Sequence, residues 1–209
     1  LLQRSSLFVV GEIYLNIRQH LMMMPGQTLA DIHEVHSHPM ALLQCMNYLE
    51  THPNWRLVET EDTALSARMV RQHKSKHVAA IAGKLAADLF ELEIVAPDIH
   101  TEKKNYTRFL VLSKKEQKDW ELEPNKSSLY FQAANTHGSL ASVLTCIAET
   151  GINLSKLQSF PVPGGEWLYF FHADMEFGQL EQLRLAVERI TPLTEKLRVL
   201  GVYRQGVTV

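Results

Sequence analysis

The chain has 209 residues, 45% hydrophobic and 21% charged, and carries a net charge of −2. That length supports one large or two small domains with cores of their own, and the weak charge excludes an electrostatic grip on nucleic acid or an anionic membrane. No apolar run reaches the length of a membrane span, and the two cysteines, Cys45 and Cys146, sit in apolar helical patterns that read as buried thiols of a reducing cytoplasm.

The chain opens Leu1-Leu2-Gln3-Arg4 without a signal-peptide pattern and runs straight into a β-rich stretch from Leu7 to Ile17. Such a start reads as a cut inside a domain. Met22-Met23-Met24-Pro25-Gly26 then reads as a turn, its methionines in a flexible loop or filling a gap. Ile32 to His36 is a short strand. Pro39 starts a helix with Leu42, Leu43, Met46 and Leu49 at helical spacing. Trp55 to Glu59 is a strand, and Asp62 or Thr63 caps a helix carrying Ala64, Ala67 and Val70. A strand at Val78 to Ile81 and an alanine-rich helix from Gly83 to Phe90 complete a βα alternation. It predicts an α/β lobe with helices on both faces of a mixed sheet.

Asn105-Tyr106-Thr107-Arg108-Phe109 comes next, at the head of the apolar run Leu110-Val111-Leu112. On a strand, Thr107 and Phe109 share one face and Arg108 takes the other, whereas a bend would let all three line one pocket. An Arg fork beside a hydroxyl suits a small carboxylated ligand; by chemistry alone the triplet equally fits an ordinary strand with an exposed Arg. His33, His36 and His38 with Glu34 invite a metal, but no Cys/His cluster at ligand spacing completes the set, and none is expected.

The polar stretch Lys114 to Ser128, with Pro124 near its end, reads as a linker. Beyond it the plan becomes β-α-β-β-α-β. Leu129-Tyr130-Phe131 opens it, and Leu140, Val143, Leu144 and Ile147 stripe a helix. Ile152 and Leu154 start a strand; Trp167, Tyr169 and Phe171 share one face of the next. Leu180, Leu183, Val187 and Ile190 form the cleanest amphipathic helix, and Leu197 to Tyr203 closes the sheet. This is a ferredoxin-like split βαβ pattern whose helices cover one sheet face, leaving the aromatic-rich other face for solvent or a partner.

Several segments, taken in order, resemble prephenate dehydratases. Asn105-x-Thr107-Arg108-Phe109 matches that family's N-x-T-R-F motif, and Ser37-His38-Pro39-Met40-Ala41-Leu42 with Gln44-Cys45 resembles its S-H-P-x-A-L-x-Q-C signature. Val10-Gly11-Glu12-Ile13 through Arg18-Gln19-His20-Leu21, Asp62-Thr63-Ala64 and Ala79-Ala80-Ile81-Ala82 resemble further family segments. The C-terminal part resembles an ACT domain, with Gly138-Ser139-Leu140 in place of G-A-L and Gly151-Ile152-Asn153-Leu154-Ser155-Lys156 close to G-I-N-L-T-K. Gln158-Ser159-Phe160-Pro161 departs from the usual E-S-R-P and removes two charges beside the expected effector site.

The resemblance implies a partial two-lobed, periplasmic-binding-protein-like catalytic domain over residues 1–114, its opening segment absent, a linker over 115–127 and a regulatory ACT domain over 128–209. It implies cofactor-free conversion of prephenate to phenylpyruvate in the cytoplasm, with no metal. Thr107 is the expected catalytic residue, donating to the leaving hydroxyl. Asn105, Arg108, Phe109, Thr63 and His38 are the expected substrate-binding residues, with bracing of the loop as the other role for Arg108 and helix capping as the other role for His38. L-Phenylalanine is the expected effector, at Gly138, Ser139, Leu140, Asn153, Leu154, Ser155, Gln158, Ser159 and Phe160. A homodimer or homotetramer through ACT domains is expected, without nucleic acid or membrane. The alternative is a catalytically inert fragment acting as an amino-acid-binding ACT module.

Overall fold

The computed structural model describes residues 2–118, 123–164 and 168–208. Its strands are β1 (Phe8–Asn16), β2 (His20–Met23), β3 (Glu34–Ser37), β4 (Arg56–Glu59), β5 (Val78–Ala82), β6 (Glu93–Ala96), β7 (Tyr106–Ser113), β8 (Lys126–Ala133), β9 (Asn153–Pro161), β10 (Tyr169–Glu176) and β11 (Thr194–Tyr203). The helices are α1 (Pro39–Gln44), α2 (Met46–Leu49), α3 (Thr63–His73), α4 (Lys84–Phe90), α5 (Ser139–Glu149) and α6 (Leu180–Ile190). The chain divides into two compact units: Leu15–Thr107, and Leu1–Tyr14 together with Arg108–Val209. This differs from a division at residue 114, because the first fourteen residues and most of β7 group with the C-terminal elements. Of the expected linker, residues 119–122 lie outside the described residues, while Lys126 and Ser127 are the buried start of β8.

Unit Leu15–Thr107 holds a five-stranded sheet in the order β4-β3-β5-β2-β6. It is mixed, since β3 runs parallel to β4 and β5 while β2 runs antiparallel to β5 and β6. Period-two alternation divides its side chains between two cores. Leu21, Met23, Val35, Ala79 and Ile81 pack against Ala41, Leu42, Cys45 and Leu49 on one face. Met22, Ala80 and Ala82 pack against Ala67, Val70, Ala86 and Ala87 on the other.

The methionine run is therefore not a flexible loop. Met22 and Met23 are fully buried in an inner strand, and the turn is confined to Pro25 and Gly26. Met22 lies opposite Ala80 and Met23 clusters with Ala79, so the long thioethers fill space beside small residues of β5. Sequence reading also misses β6, and it runs α1 and α2 together where the chain breaks at Cys45, leaving Leu43 exposed.

The other unit carries the β-α-β-β-α-β order as β8-α5-β9-β10-α6-β11, with sheet order β11-β8-β10-β9 and antiparallel pairing throughout. Leu129, Phe131, Ala173 and Met175 face α5 and α6 through Val143, Ile147, Leu183, Ala186 and Ile190. Phe171 lies on this helix side and Phe170 on the other, while Trp167 lies outside the described residues.

The helix-free face is not left open for a partner along its whole length, as the sequence pattern suggests. The chain's own β1 and β7, paired as a two-stranded ribbon, lie against part of it. Val9 of β1 and Leu110 of β7 pack with Tyr130, Leu200 and Tyr203. Gly201 makes that approach possible: a Cβ there would sit 1.8 Å from the Val9 carbonyl oxygen. No side chain fits at that separation without moving backbone. Gly201→Ala is expected to destabilise the protein by about 3 kcal/mol, the upper range for overpacking, read as a lowered urea midpoint; an unchanged midpoint would show that the β1 contact does not hold in solution.

Candidate functional site

The site grows from the point where β1 gives way to β2. Between two apolar strands the chain runs Asn16-Ile17-Arg18-Gln19-His20, and this segment lines a cavity of about 490 Å³ together with Thr63, Gly83, Lys84 and Leu85. All of these residues lie in the α/β unit. Thr63 is the first residue of α3, whose N-cap Asp62 accepts the Leu65 N–H at 2.8 Å. Two cationic side chains, a threonine hydroxyl and the positive end of an eleven-residue helix thus border one space. That set favours an anionic ligand.

The lining segment is tied down from behind. The Ile17 N–H donates to the Asn105 carbonyl at 2.7 Å, and Asn105 Nδ2 donates back to the Ile17 carbonyl at 3.2 Å. Gln44 Oε1 accepts both Asn105 Nδ2, at 3.2 Å, and Gln19 Nε2, at 3.3 Å. The Gln19 carbonyl accepts the Ile99 N–H at 2.9 Å, and the Gln19 N–H reaches His100 Nδ1 at 3.4 Å. Asn105 therefore fixes backbone, and Gln44 of the S-H-P-x-A-L-x-Q-C segment orients two amides at once.

The remaining expected substrate residues divide. Thr63 lines the cavity, while Asn105, Thr107 and His38 do not. Thr107 is exposed on β7, two residues beyond the Asn105 clamp. His38 caps α1, its Nδ1 accepting the Met40 N–H at 3.1 Å. The neighbouring histidines have separate partners: His36 bonds Glu34 at 2.9 Å, and His33 stacks on His77 at 4.6 Å. Cys45 is buried in the core, and burial pushes its thiol up to about 12, so it stays protonated and inert. Arg18, His20 and Lys84 also line the cavity and are not among the expected site residues. The available signal was a charged and polar run inserted between two apolar strands.

Strand alternation holds at the motif, so the three motif side chains do not share a pocket: Arg108 and Leu110 turn inward while Thr107 and Phe109 are exposed. Arg108 belongs to a buried charge network of the C-terminal unit. Its Nε donates to Glu12 Oε2 at 2.5 Å, its Nη1 to Asp174 Oδ2, and its Nη2 to the Tyr203 hydroxyl at 2.9 Å. Ser128 joins Tyr203 at 2.7 Å and donates to Asp174 Oδ1 at 2.5 Å. Lys126, 2% exposed, reaches Glu12 at 3.0 Å, Tyr14 at 3.1 Å and Glu176 at 3.3 Å.

Burial opposes the Arg108 charge, but the hydrogen bond to Asp174 and the fields of Tyr203, Asp174 and Glu12 outweigh it and raise its pKa. Lys126 is likewise disfavoured by burial and held charged by Tyr14 and Glu12. Burial pushes the Tyr203 phenol up to about 12, which keeps it neutral. With each guanidinium nitrogen engaged in this network, Arg108 is a brace rather than an open carboxylate clamp.

In the same unit Gly138, Ser139 and Leu140 line a second cavity of about 410 Å³ with Ala133, Asn135, Tyr169 and Phe171. Gly138 takes a left-handed conformation, φ 78°, at the N-cap of α5. The other expected effector residues, Asn153, Leu154, Ser155, Gln158, Ser159 and Phe160, lie on β9 at the sheet edge and do not line that cavity. Phe160 meets His172 edge-on at 5.2 Å on the opposite sheet face.

The prephenate dehydratase family model matches residues 1–117. The chain belongs to that family. It is 32% identical over 205 residues to the bifunctional chorismate mutase/prephenate dehydratase of Enterobacter agglomerans, covering 97% of this chain and 53% of that protein. The enzyme of the same name from Neisseria gonorrhoeae is 34% identical over 209 residues, covering 99% and 57%. The chain thus spans about half the length of the curated relatives it matches. The prephenate dehydratase of Arthrobacter aurescens, solved in complex with L-Phe, superposes with a TM-score of 0.86 at 27% identity, over 95% of this chain and 66% of that one. A structure described as a novel type of quorum-quenching acylase also superposes at 0.86, with 31% identity over 98% and 74%.

Removing one member of the charge network should expose how much it holds. Glu12→Gln leaves Arg108 and Lys126 short of a buried anion and is expected to destabilise the protein by ~3–5 kcal/mol, the usual cost of breaking a buried pair. Calorimetric or urea unfolding measures it; a loss below 1 kcal/mol would mean the charges are solvated in solution.

Proposed function

We propose that the chain is the prephenate-dehydrating part of its protein. The observation that carries this reading is the cavity bordered by Arg18, Lys84, Thr63 and the N-terminus of α3, which suits a small dicarboxylate. The substrate is prephenate and the product phenylpyruvate. The C–C bond to the ring carboxylate breaks, its electron pair enters the ring, and the hydroxyl opposite leaves with one added proton as water; carbon dioxide is the other product. Aromatisation drives the step, so the protein has to hold two carboxylates and assist departure of the hydroxyl. No cofactor or metal takes part in this scheme.

Thr107 is the proposed donor to the leaving oxygen. A threonine hydroxyl is a poor acid, so it acts by a strong hydrogen bond or by relaying a proton. The motif supports this role, as does the Asn105 clamp, which ties the start of β7 to cavity-lining Ile17. The family motif makes Phe109 a further substrate-binding candidate in this reading, and Arg108 holds the strand through Glu12 and Asp174. Release of phenylpyruvate from prephenate tests the whole reading, and no release refutes it. Thr107→Ala is expected to lower turnover ~10²–10⁴-fold, the range for a positioned proton donor; near-normal turnover would remove Thr107 from the mechanism.

The C-terminal β-α-β-β-α-β part is proposed to be an ACT domain that senses L-phenylalanine, the ligand of the Arthrobacter aurescens relative. The cavity at Gly138, Ser139 and Leu140 would take the amino acid, and β9 of a second subunit would supply Asn153, Leu154, Ser155, Gln158, Ser159 and Phe160 across a homodimer or homotetramer. Without prephenate turnover, this same cavity favours the second reading, an amino-acid-binding module. Phenylalanine at about a hundredfold over its dissociation constant should raise Tm by roughly 5 °C. An unchanged Tm in saturating phenylalanine would show that the departures at Gln158 and Phe160 have abolished sensing.

A further inference from the structure

His20 is buried to 7% exposure on the wall of the Arg18–Lys84 cavity. Its Nδ1 accepts the backbone N–H of Asp98 at 3.0 Å. An imidazole that accepts at Nδ1 carries its proton at Nε2 when neutral. Burial lowers its pKa, and His100, Arg18 and Lys84 add to that effect against the opposing field of Asp98, so the neutral ring is the form present at pH 7. Nε2 has no hydrogen-bond partner among the described residues.

The acceptor bond is built with care. Asp98 sits at φ 51°, a left-handed conformation that costs energy in any residue but glycine. Lys103 Nζ donates to the Asp98 carbonyl at 2.6 Å and to the His100 carbonyl at 2.7 Å, holding the loop in that shape. A strained residue is kept in place to present one N–H to one imidazole nitrogen. The result is a fixed tautomer whose open donor belongs to a cavity-lining residue. Arg18 and Lys84 line the same cavity, and no acidic residue is among the residues lining it, so an anion there would meet this donor beside two cations.

We propose that His20 binds a carboxylate oxygen of the substrate through Nε2–H, as a neutral donor beside Arg18 and Lys84. This rests on prephenate being the ligand of the cavity. A third cation here would be repelled by Arg18 and Lys84, whereas a neutral N–H adds a directional bond without that cost. The hydrogen bond is present in ground and transition states alike, so its loss appears in KM rather than in kcat.

The test compares wild type, His20→Asn and His20→Gln in prephenate turnover at pH 7.5. Asparagine keeps a polar group near Nδ1 and loses the Nε2 donor; glutamine places an amide N–H near Nε2. His20→Asn is expected to raise KM about 10–100-fold, the value of one hydrogen bond to a charged group, with kcat within about threefold, and His20→Gln to recover most of the loss. An unchanged KM in His20→Asn, with wild type active, overturns the proposal and leaves prephenate as the substrate. No turnover and no prephenate binding by wild type overturns both. Nitrogen-15 NMR of wild type gives an answer that needs no variant to fold: the His20 Nε2 resonance should move on prephenate addition while the ring stays neutral. An unmoved resonance at saturating prephenate overturns the assignment.

Discussion

A set of five charges, of which Glu12, Lys126 and Asp174 are buried, organises the C-terminal unit. Arg108 and Lys126 stand against Glu12, Asp174 and Glu176, and the neutral Tyr203 and Ser128 complete the hydrogen bonds that the charges leave over. Desolvating such groups is expensive, and the arrangement is tolerable only because each buried charge meets an opposite one at hydrogen-bond distance. Hydrophobic side chains of similar shape would pack the same face with less penalty. What the ions add is geometry: an arginine fork on two carboxylates admits one register of β7 against the sheet, while greasy residues would allow several. The residue after Thr107 is thereby locked in position.

The α/β unit handles charge in the opposite way. Its two cores are apolar and its sheet is flanked on both faces, so Arg18 and Lys84 are placed at the ends of elements, where the chain leaves one strand and where a helix begins. Their cavity lacks a counterion of its own among the lining residues, which leaves room for a ligand to supply it. The contrast with Arg108 is instructive. An arginine whose nitrogens are all matched by protein carboxylates is structural; one that faces a cavity without acids is available for binding.

Much of the fold was legible because apolar periodicity differs between its parts. The β-α-β-β-α-β order came directly from striped helices such as Leu180, Leu183, Val187 and Ile190. The family assignment came from ordered short motifs, of which the Asn105–Phe109 segment is the most specific. What was not legible had physical causes. Met22 and Met23 lie next to Pro25-Gly26, so local turn chemistry hid a strand whose burial is decided by distant alanines. For Arg108 the sequence leaves ligand clamp and brace both open, because it shows the residue's type but not Glu12 and Asp174, its partners far along the chain. His20 was passed over because its tautomer depends on one backbone N–H that no composition encodes.

The division of the chain also sets an order of assembly. The C-terminal unit is discontinuous, built from Leu1–Tyr14 and Arg108–Val209, whereas residues between them form a unit of their own. During synthesis the middle segment can collapse as soon as β6 has emerged. Strand β1 can pair with β7 once that strand has emerged, but its apolar face has to wait for β8 and β11 to cover it. Glu12 stays solvated until that packing forms, so its desolvation against Arg108 and Lys126 belongs with the docking of β1 on the sheet.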